Sequence, residues 1–354
     1  MPDLEEGKGS RLTEVDPSLS DRIDPVLDLL NERPREDWQW SFQPEAVGHS
    51  EVNAVALCNA ALLAYSEQAG VQRFLSNWGF DDTYRFLRGF RTQGFIARKD
   101  DAVIIAFRGT EPTNAADWLS DVSYHQQRLL PSVPGFVHGG FARAIEEIMQ
   151  QMLDAVEELS GDGEPPLYVT GHSLGGALAV LAAAVLELQV SRNVAAVYTY
   201  GQPRVGDPLF SSTFDQRLGT VTFRYVNDLD VVPHLPPVQL PDRPALPTVS
   251  LTDLLGTIEH APLEVRRALA AIIEGEKFSH VGQLKLFLPD GTLTSDDEQW
   301  QEREFFYSGR LEDLFRNLPS LFQAKLREIL LSANRFRDHD PLNGYLPKLE
   351  AQLG

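Results

Sequence analysis

The most constraining feature of the sequence is a serine placed on a tight turn between a strand and a helix. Residues 171–175 read Gly-His-Ser-Leu-Gly, with Ser173 at the centre. An apolar, β-rich run precedes them at 167–170, and small and aliphatic residues typical of a helix follow at 177–188. On such a turn the serine backbone is strained and the hydroxyl projects at the carboxyl end of the strand. The pattern therefore predicts that Ser173 is a nucleophile.

Strand and helix patterns alternate on both sides of this turn. Strands are predicted at 94–97, 102–107, 195–201, 220–226 and 281–288, and helices at 51–65 and 140–159. Such alternation favours an α/β fold, in which a mostly parallel central sheet is covered by helices on both faces.

The composition predicts one domain with a polar extension. Residues 1–40 are charged and rich in Asp, Glu and Pro, which indicates a loosely ordered N-terminal arm. Residues 41–354 are predicted to form a single domain, because a hydrophobic content of 43% supports a large core. A helical insertion is predicted at 238–279, either as ordinary packing helices or, in part, as a movable cover over an apolar site.

The charge balance restricts the partners. The chain has 31 basic and 51 acidic residues and a net charge of −20, which argues against nucleic-acid binding and against docking on anionic membranes by charge. Neutral and zwitterionic lipid surfaces are compatible with it. The polar start of the chain is unlike a cleaved signal peptide, and no apolar run reaches transmembrane length. The expectation is a cytoplasmic protein, although secretion without a cleaved signal would leave no trace in the sequence.

A nucleophilic serine needs an imidazole base, and the base needs a carboxylate to orient it. In doubly wound hydrolases the three follow the order Ser, acid, His. Asp228 and Asp230 come directly after a predicted strand, where the acid belongs, and the spacing leaves both open.

Four histidines follow these aspartates. His234 is too close to the acid in sequence, and His260 falls in the predicted insertion. His339 lies in a polar loop after a helical pattern, and its position favours it over His280 without excluding the latter.

The reaction also needs hydrogen-bond donors for an oxyanion. The backbone N–H of Leu174, next to the nucleophile, is one candidate. Thr110, just after the apolar strand at 102–107, is the other, through its N–H and its hydroxyl.

With these residues the chain strongly resembles the class 3 lipases, the family of the filamentous-fungal triacylglycerol lipases and their bacterial and plant relatives. The likeness runs from about residue 51 to the C-terminus. It rests on motifs in a fixed order: AFRGT at 106–110, Asp117-Trp118 with Asp121, VHGGF at 137–141, TGHSLGGALA at 170–179, YGQPRVGD at 200–207, DVVPHLPP at 230–237, HVG at 280–282, and Asp338-His339 with Tyr345.

The resemblance implies an α/β-hydrolase fold with Ser173, Asp230 and His339 as the catalytic residues. By the same matching His280 occupies a non-catalytic position, and a lid corresponds to the stretch around 112–124.

It further implies that Thr110 and Leu174 form the oxyanion hole. Asp121 and His172 are supporting residues, with Asp121 orienting the Thr110 hydroxyl.

Three departures from the fungal enzymes bear on the expected substrate. The chain lacks their secretion signal and disulfide cysteines, its insertion at 238–279 is longer, and residues 111–125 are more polar than a strongly interfacial lid. These differences weaken the expectation of a secreted fat-digesting lipase. They do not affect the expectation of a serine ester hydrolase.

The sequence thus predicts a serine carboxylic ester hydrolase, a lipase or esterase, that acts on acylglycerol-like lipids or medium-chain esters and needs no metal or organic cofactor. Because the base must be neutral, activity is expected to fall below about pH 6 to 7.

A phospholipase A1 is an alternative function, because it would use the same catalytic residues. A non-catalytic scaffold with this fold is a further alternative, but its usual mark, a missing catalytic or oxyanion residue, is absent from this sequence.

Overall fold

The structure is a computed structural model. It describes residues 38–80, 83–90, 92–109, 126–129, 131–161, 163–228, 230–236, 278–301, 303 and 338–353. Thr110, Asp121, the lid region, most of the insertion at 238–279 and residues 1–37 of the N-terminal arm lie outside these ranges.

Within these ranges, the central sheet has eight strands in the order β1-β2-β3-β6-β7-β8-β9-β10. Strands β3, β6, β7, β8 and β9 are parallel to one another, while β1, β2 and β10 pair antiparallel at the two sides. Strands β4 and β5 form a separate two-stranded sheet. The bounds are β1 Tyr84–Arg88, β2 Gln93–Lys99, β3 Ala102–Phe107, β4 Gln126–Gln127, β5 Val137–His138, β6 Leu167–His172, β7 Val194–Tyr200, β8 Thr222–Asn227, β9 Gln283–Phe287 and β10 Leu293–Thr294.

The helices cover both faces of this sheet. Helices α3 (Gly139–Glu146), α4 (Met149–Ser160), α5 (Leu174–Ala184) and α6 (Pro208–Leu218) connect the parallel strands and pack on one face. Helices α1 (Glu51–Leu63), α2 (Gln68–Asn77) and α7 (Leu346–Gln352) pack on the other face. The predicted fold, a mostly parallel sheet between helical layers, is confirmed.

Successive side chains along the buried strands belong to two separate hydrophobic cores, one on each face of the sheet. In β6, Leu167 and Val169 belong to the core under α3 to α6, whereas Tyr168 belongs to the core under α1 and α7. Successive strand residues point to opposite faces, so strands buried on both sides read as continuous apolar runs.

The helix predicted at 140–159 is two helices. Ile148, with φ −118° and ψ 2°, departs from helical geometry and separates α3 from α4. Its side chain is fully buried in the core between them. The helical periodicity continues across the break, which is why the sequence predicts one helix.

Aromatic side chains attach the first described residues to the core. The Trp40 ring lies 5.4 Å from that of Trp78 and 5.0 Å from that of Phe80, and Trp38 contacts Trp78 at 4.9 Å. Within the predicted arm of residues 1–40, Trp38 and Trp40 therefore pack against the domain.

Candidate active site

Ser173 occupies the turn between β6 and α5 with an unusual backbone. Its φ is 56° and its ψ is −126°, in a region that L-residues other than glycine rarely adopt. The Ser173 N–H donates to the carbonyl of Tyr200 at the end of β7, at 2.9 Å. The strained turn is thus tied to the neighbouring strand and holds the serine at the carboxyl edge of the sheet.

Two glycines allow the turn to be this tight. A Cβ on Gly171 would lie 2.1 Å from the carbonyl oxygen of Gly175, and a Cβ on Gly175 would lie 2.2 Å from that of Phe107. Both distances are far inside van der Waals contact. The motif therefore needs glycine at these positions to let β6, α5 and β3 approach each other.

Asp230 and His339 form a buried pair on the same edge, although 109 residues separate them. His339 Nδ1 lies 2.8 Å from Asp230 Oδ2, and Asp230 has no exposed surface. Because a carboxylate only accepts, Nδ1 carries the hydrogen and Nε2 of the neutral ring is left as a proton acceptor. This is the tautomer that a general base for a serine requires.

A tyrosine and the backbone also donate hydrogen bonds to the Asp230 carboxylate. Tyr345 Oη donates to Oδ2 at 2.6 Å, and the Val232 N–H donates to Oδ1 at 2.9 Å. Burial, together with the nearby Asp230, raises the pKa of Tyr345 well above 10, so its hydroxyl stays protonated and keeps donating. The buried charge is held by three hydrogen bonds in one orientation.

The alternative acid and base are engaged elsewhere. Asp228 accepts from the guanidinium of Arg303, and His280 Nε2 donates to the Pro233 carbonyl at 2.8 Å. The ring of His234 stacks on Trp300 at 4.5 Å. His260 lies outside the part of the chain that the structure describes. The two alternatives that spacing left open, Asp228 and His280, are thus in other contacts than the Asp230–His339 pair.

His172 joins the serine turn to the loop that carries His339. Its Nε2 donates to the backbone carbonyl of His339 at 2.6 Å, and the two rings lie 4.5 Å apart. With Nε2 carrying the hydrogen, Nδ1 accepts from the hydroxyl of Tyr65 at 2.8 Å. A chain of two hydrogen bonds therefore runs from the end of α1 through His172 to the backbone of His339.

The predicted oxyanion residues are only partly described. Leu174 is the first residue of α5, where the backbone N–H groups have no carbonyl acceptor within the helix. Thr110 and Asp121 lie outside the described residues. The preceding residue, Gly109, is close to the serine: a Cβ on it would lie 3.2 Å from Ser173 Cβ.

The described residues contain no group of three His, Cys, Asp or Glu side chains that could hold a metal ion. They also contain no helix long and apolar enough to cross a membrane.

Part of the chain is similar in sequence to known lipases. Residues 104–240, which span β3, the serine turn and Asp230, match the family model described as Lipase (class 3). A lipase of Rhizomucor miehei is 36% identical over 156 residues, which cover 42% of this chain and 42% of that protein. The resemblance to the class 3 lipase family is thus confirmed over these residues. A triacylglycerol lipase of Arabidopsis thaliana is 32% identical over 187 residues, covering 40% of the chain and 36% of the relative.

The sequence similarity covers only part of each relative. The chain spans less than half the length of these two curated relatives. A solved structure of the Rhizomucor miehei triacylglyceride lipase aligns with a TM-score of 0.48 and 24% identity, covering 70% of this chain and 85% of that one. The α/β-hydrolase fold of the chain is given by its own strand order and crossover helices.

Sequence reasoning misses two residues of the site. The sequence marks Tyr65 only as the end of a helix, and it does not single out Asn227. Asn227 donates its backbone N–H to Tyr345 Oη at 3.1 Å and its side-chain N–H to the Asp338 carbonyl at 3.0 Å. Both residues act through contacts between distant segments, so no local motif marks them.

Substitution of Gly201 tests how closely the acid–base pair is packed. A Cβ at this position would lie 2.7 Å from Asp230 Oδ2 and 2.9 Å from His339 Nδ1. We expect Gly201→Ala to lower kcat/KM for a soluble ester about 100-fold, because misplacement of a catalytic group by about 1 Å has effects of that order. Gly48→Ala is the matched control, since Gly48 also has a positive φ but a Cβ on it would meet no atom within 4 Å. Near-native activity of Gly201→Ala would contradict the packing described.

Tyr65→Phe tests the link through His172. Loss of one buried hydrogen bond is expected to lower kcat roughly tenfold, with KM unchanged, because the base is less well oriented. Tyr198→Phe is the control: it removes another buried hydroxyl, one that accepts from the Ser50 N–H at 3.0 Å away from the site. Both variants should unfold at similar temperatures. A purely structural role for Tyr65 would show as equal kcat in the two variants.

His280 is expected to make the folded protein sensitive to acid. Burial, reinforced by the charges of Arg224 and Arg204, holds the pKa of His280 well below 6.5. Below about pH 6.5 the unfolded chain binds a proton at this residue that the folded chain does not. The free energy of unfolding should therefore fall with decreasing pH, by at most about 1.4 kcal/mol per pH unit from this group. Urea denaturation at pH 7.5, 6.5 and 5.5 measures the slope, which should be shallower in His280→Gln; an unchanged slope would rule out this contribution.

Proposed function

We propose that the chain is a serine carboxylic ester hydrolase that cleaves acylglycerol-like lipids or medium-chain esters through an acyl-enzyme. The observation that carries the proposal is the buried Asp230–His339 contact of 2.8 Å, linked by the His339 carbonyl to His172, the residue next to Ser173. The names of the relatives, a lipase and a triacylglycerol lipase, support the same class of substrate.

The reaction begins with transfer of the Ser173 hydroxyl proton to His339 Nε2. The serine oxygen attacks the ester carbonyl carbon, and the negative charge develops on the carbonyl oxygen. The Leu174 N–H and Thr110 are the proposed donors to this oxygen, with Asp121 orienting the Thr110 hydroxyl, as the family resemblance implies. The position of Gly109 against Ser173 supports this role for the residue that follows it.

Collapse of the intermediate breaks the ester bond. His339 returns the proton to the leaving alcohol, and the acyl group stays on Ser173. A water molecule, activated by the same imidazole, then releases the carboxylic acid. Throughout, the Asp230 carboxylate stabilises the imidazolium and remains ionised. None of these steps requires a metal or an organic cofactor.

The substrate is proposed to be reached at a neutral or zwitterionic lipid interface. Anionic surfaces repel a chain with a net charge of −20. Surfaces of uncharged lipid or of zwitterionic headgroups do not.

The proposed roles are tested by hydrolysis of p-nitrophenyl esters from acetate to palmitate. Ser173→Ala and His339→Ala are each expected to lower kcat by about four to six orders of magnitude. The chain offers an isosteric pair for the acid: Asp230→Asn should lower kcat by about 10⁴ because the base then adopts the wrong tautomer, whereas Asp228→Asn should stay near the native rate. Loss of activity in Asp228→Asn with retention in Asp230→Asn would overturn the assignment, and absence of turnover by the native protein on every ester would overturn the function.

A further inference from the structure

The hairpin of β1 and β2 differs in charge from the rest of the chain. Residues 84–99 contain five basic side chains and no acidic one, in a chain with a net charge of −20. Two of the five, Arg85 and Arg88, lie on β1 together with the aromatic residues Tyr84 and Phe86. Clusters of guanidinium groups beside aromatic rings suit a surface that offers both phosphate and apolar groups.

Among the strands that the structure describes, β1 is the outermost on its side of the sheet, and an open groove lies along it. The groove has a volume of about 550 Å³ and is lined by Gln68, Tyr84, Arg85, Phe86 and Arg88. The Arg88 guanidinium lies 5.5 Å from the centre of the Phe86 ring. Exposed carboxylates of other elements face two of the arginines: Arg88 is 3.4 Å from Glu67, and Arg85 pairs with Glu158. Such exposed pairs are weak, so the guanidinium groups can exchange partners at low cost.

The tip of the hairpin carries a highly exposed phenylalanine. The Gly89 N–H donates to the Thr92 carbonyl at 2.8 Å and closes the turn, and Phe90 between them is 90% exposed. A single exposed apolar side chain is ordinary on a protein surface. Phe90 is of interest because it lies on the same side of the sheet as Ser173.

Strand pairing places the tip on the same edge of the sheet as Ser173. Gly94 of β2 pairs with Phe107 of β3, and Phe107 pairs with Gly171 of β6. The serine lies two residues beyond Gly171, and the hairpin turn lies beyond Gly94 in the same direction. Two strand spacings, roughly 10 Å, separate β2 from β6.

We propose that the β1–β2 hairpin docks the protein on a zwitterionic phospholipid surface, with Phe90 inserted among the acyl chains and the Arg88 guanidinium bound to a headgroup phosphate. The basic side chains of the hairpin suit headgroup phosphates, while the net negative charge of the whole chain disfavours a strongly anionic surface; a zwitterionic surface meets both conditions. Docking in this way turns the carboxyl edge of the sheet, with Ser173, toward the lipid. The inference rests on the proposed function, because it supplies the route by which a lipid ester reaches the serine.

The first test measures binding of the full chain to phosphatidylcholine vesicles by sedimentation. Phe90→Ser should lower the partition coefficient about tenfold or more, since burial of a phenylalanine in an apolar phase contributes an effect of that size. Arg88→Gln should lower it by a smaller factor. Val190→Ser is the matched control: Val190 is 37% exposed, but it precedes β7 and so lies at the opposite edge of the sheet. Native-like binding by Phe90→Ser, or binding to phosphatidylglycerol vesicles only, would overturn the proposal.

The second test separates this proposal from the proposed function. Phe90→Ser should hydrolyse water-soluble p-nitrophenyl acetate at the native rate but lose about tenfold in activity on an ester dispersed in phosphatidylcholine. Ser173→Ala should bind vesicles as the native protein does. Failure of the native protein to hydrolyse any ester would count against the proposed function, while the vesicle-binding comparison would still decide the docking surface. Equal loss of Phe90→Ser on soluble and dispersed esters would assign Phe90 to the integrity of the site and overturn the docking role.

Discussion

The site depends on one strained backbone conformation, that of Ser173. A positive φ at a non-glycine residue is unfavourable by about 1 to 3 kcal/mol and persists only where the surroundings impose it. Here the Ser173 N–H is held by the Tyr200 carbonyl, and glycines at 171 and 175 let the adjoining segments close on the turn. The next residue after Tyr200, Gly201, packs against both Asp230 and His339. The same strand end therefore holds the serine turn and borders the acid–base pair.

The Asp230–His339 pair tolerates burial because both oxygens of the carboxylate accept hydrogen bonds. A buried carboxylate is costly unless its oxygens are satisfied, and Asp230 accepts from His339, Tyr345 and the Val232 backbone. Tyr345 in turn accepts from the Asn227 N–H at the end of β8. The loop with His339 is thereby fixed from two sides, by Asp230 at its ring and by His172 at its carbonyl.

Much of this arrangement could be predicted from the sequence, because local patterns determine it. The Gly-His-Ser-Leu-Gly turn, the buried strands and their parallel order follow from periodicity, and the predicted fold is confirmed. The choice between Asp228 and Asp230 could not be made from spacing, since both follow β8; it depended on the family motif. The Tyr65–His172 link and the break at Ile148 depend on contacts between distant segments, which leave no periodic signal. The oxyanion role of Thr110 and the supporting role of Asp121 stay predictions.

The sheet contains both parallel and antiparallel strand pairs. Its carboxyl edge therefore carries the loops that follow the parallel strands and also the β1–β2 hairpin turn. Parallel strands end at that edge, so the residues that follow β3, β6 and β8 meet there. Strand β2 runs antiparallel to β3, so the turn that precedes it, with Phe90, reaches the same edge from the side. If β2 ran parallel to β3, the segment that precedes β2 would lie at the opposite edge, away from Ser173. The antiparallel pairing at the side of the sheet is therefore what allows a surface-exposed aromatic group to share an edge with a buried serine.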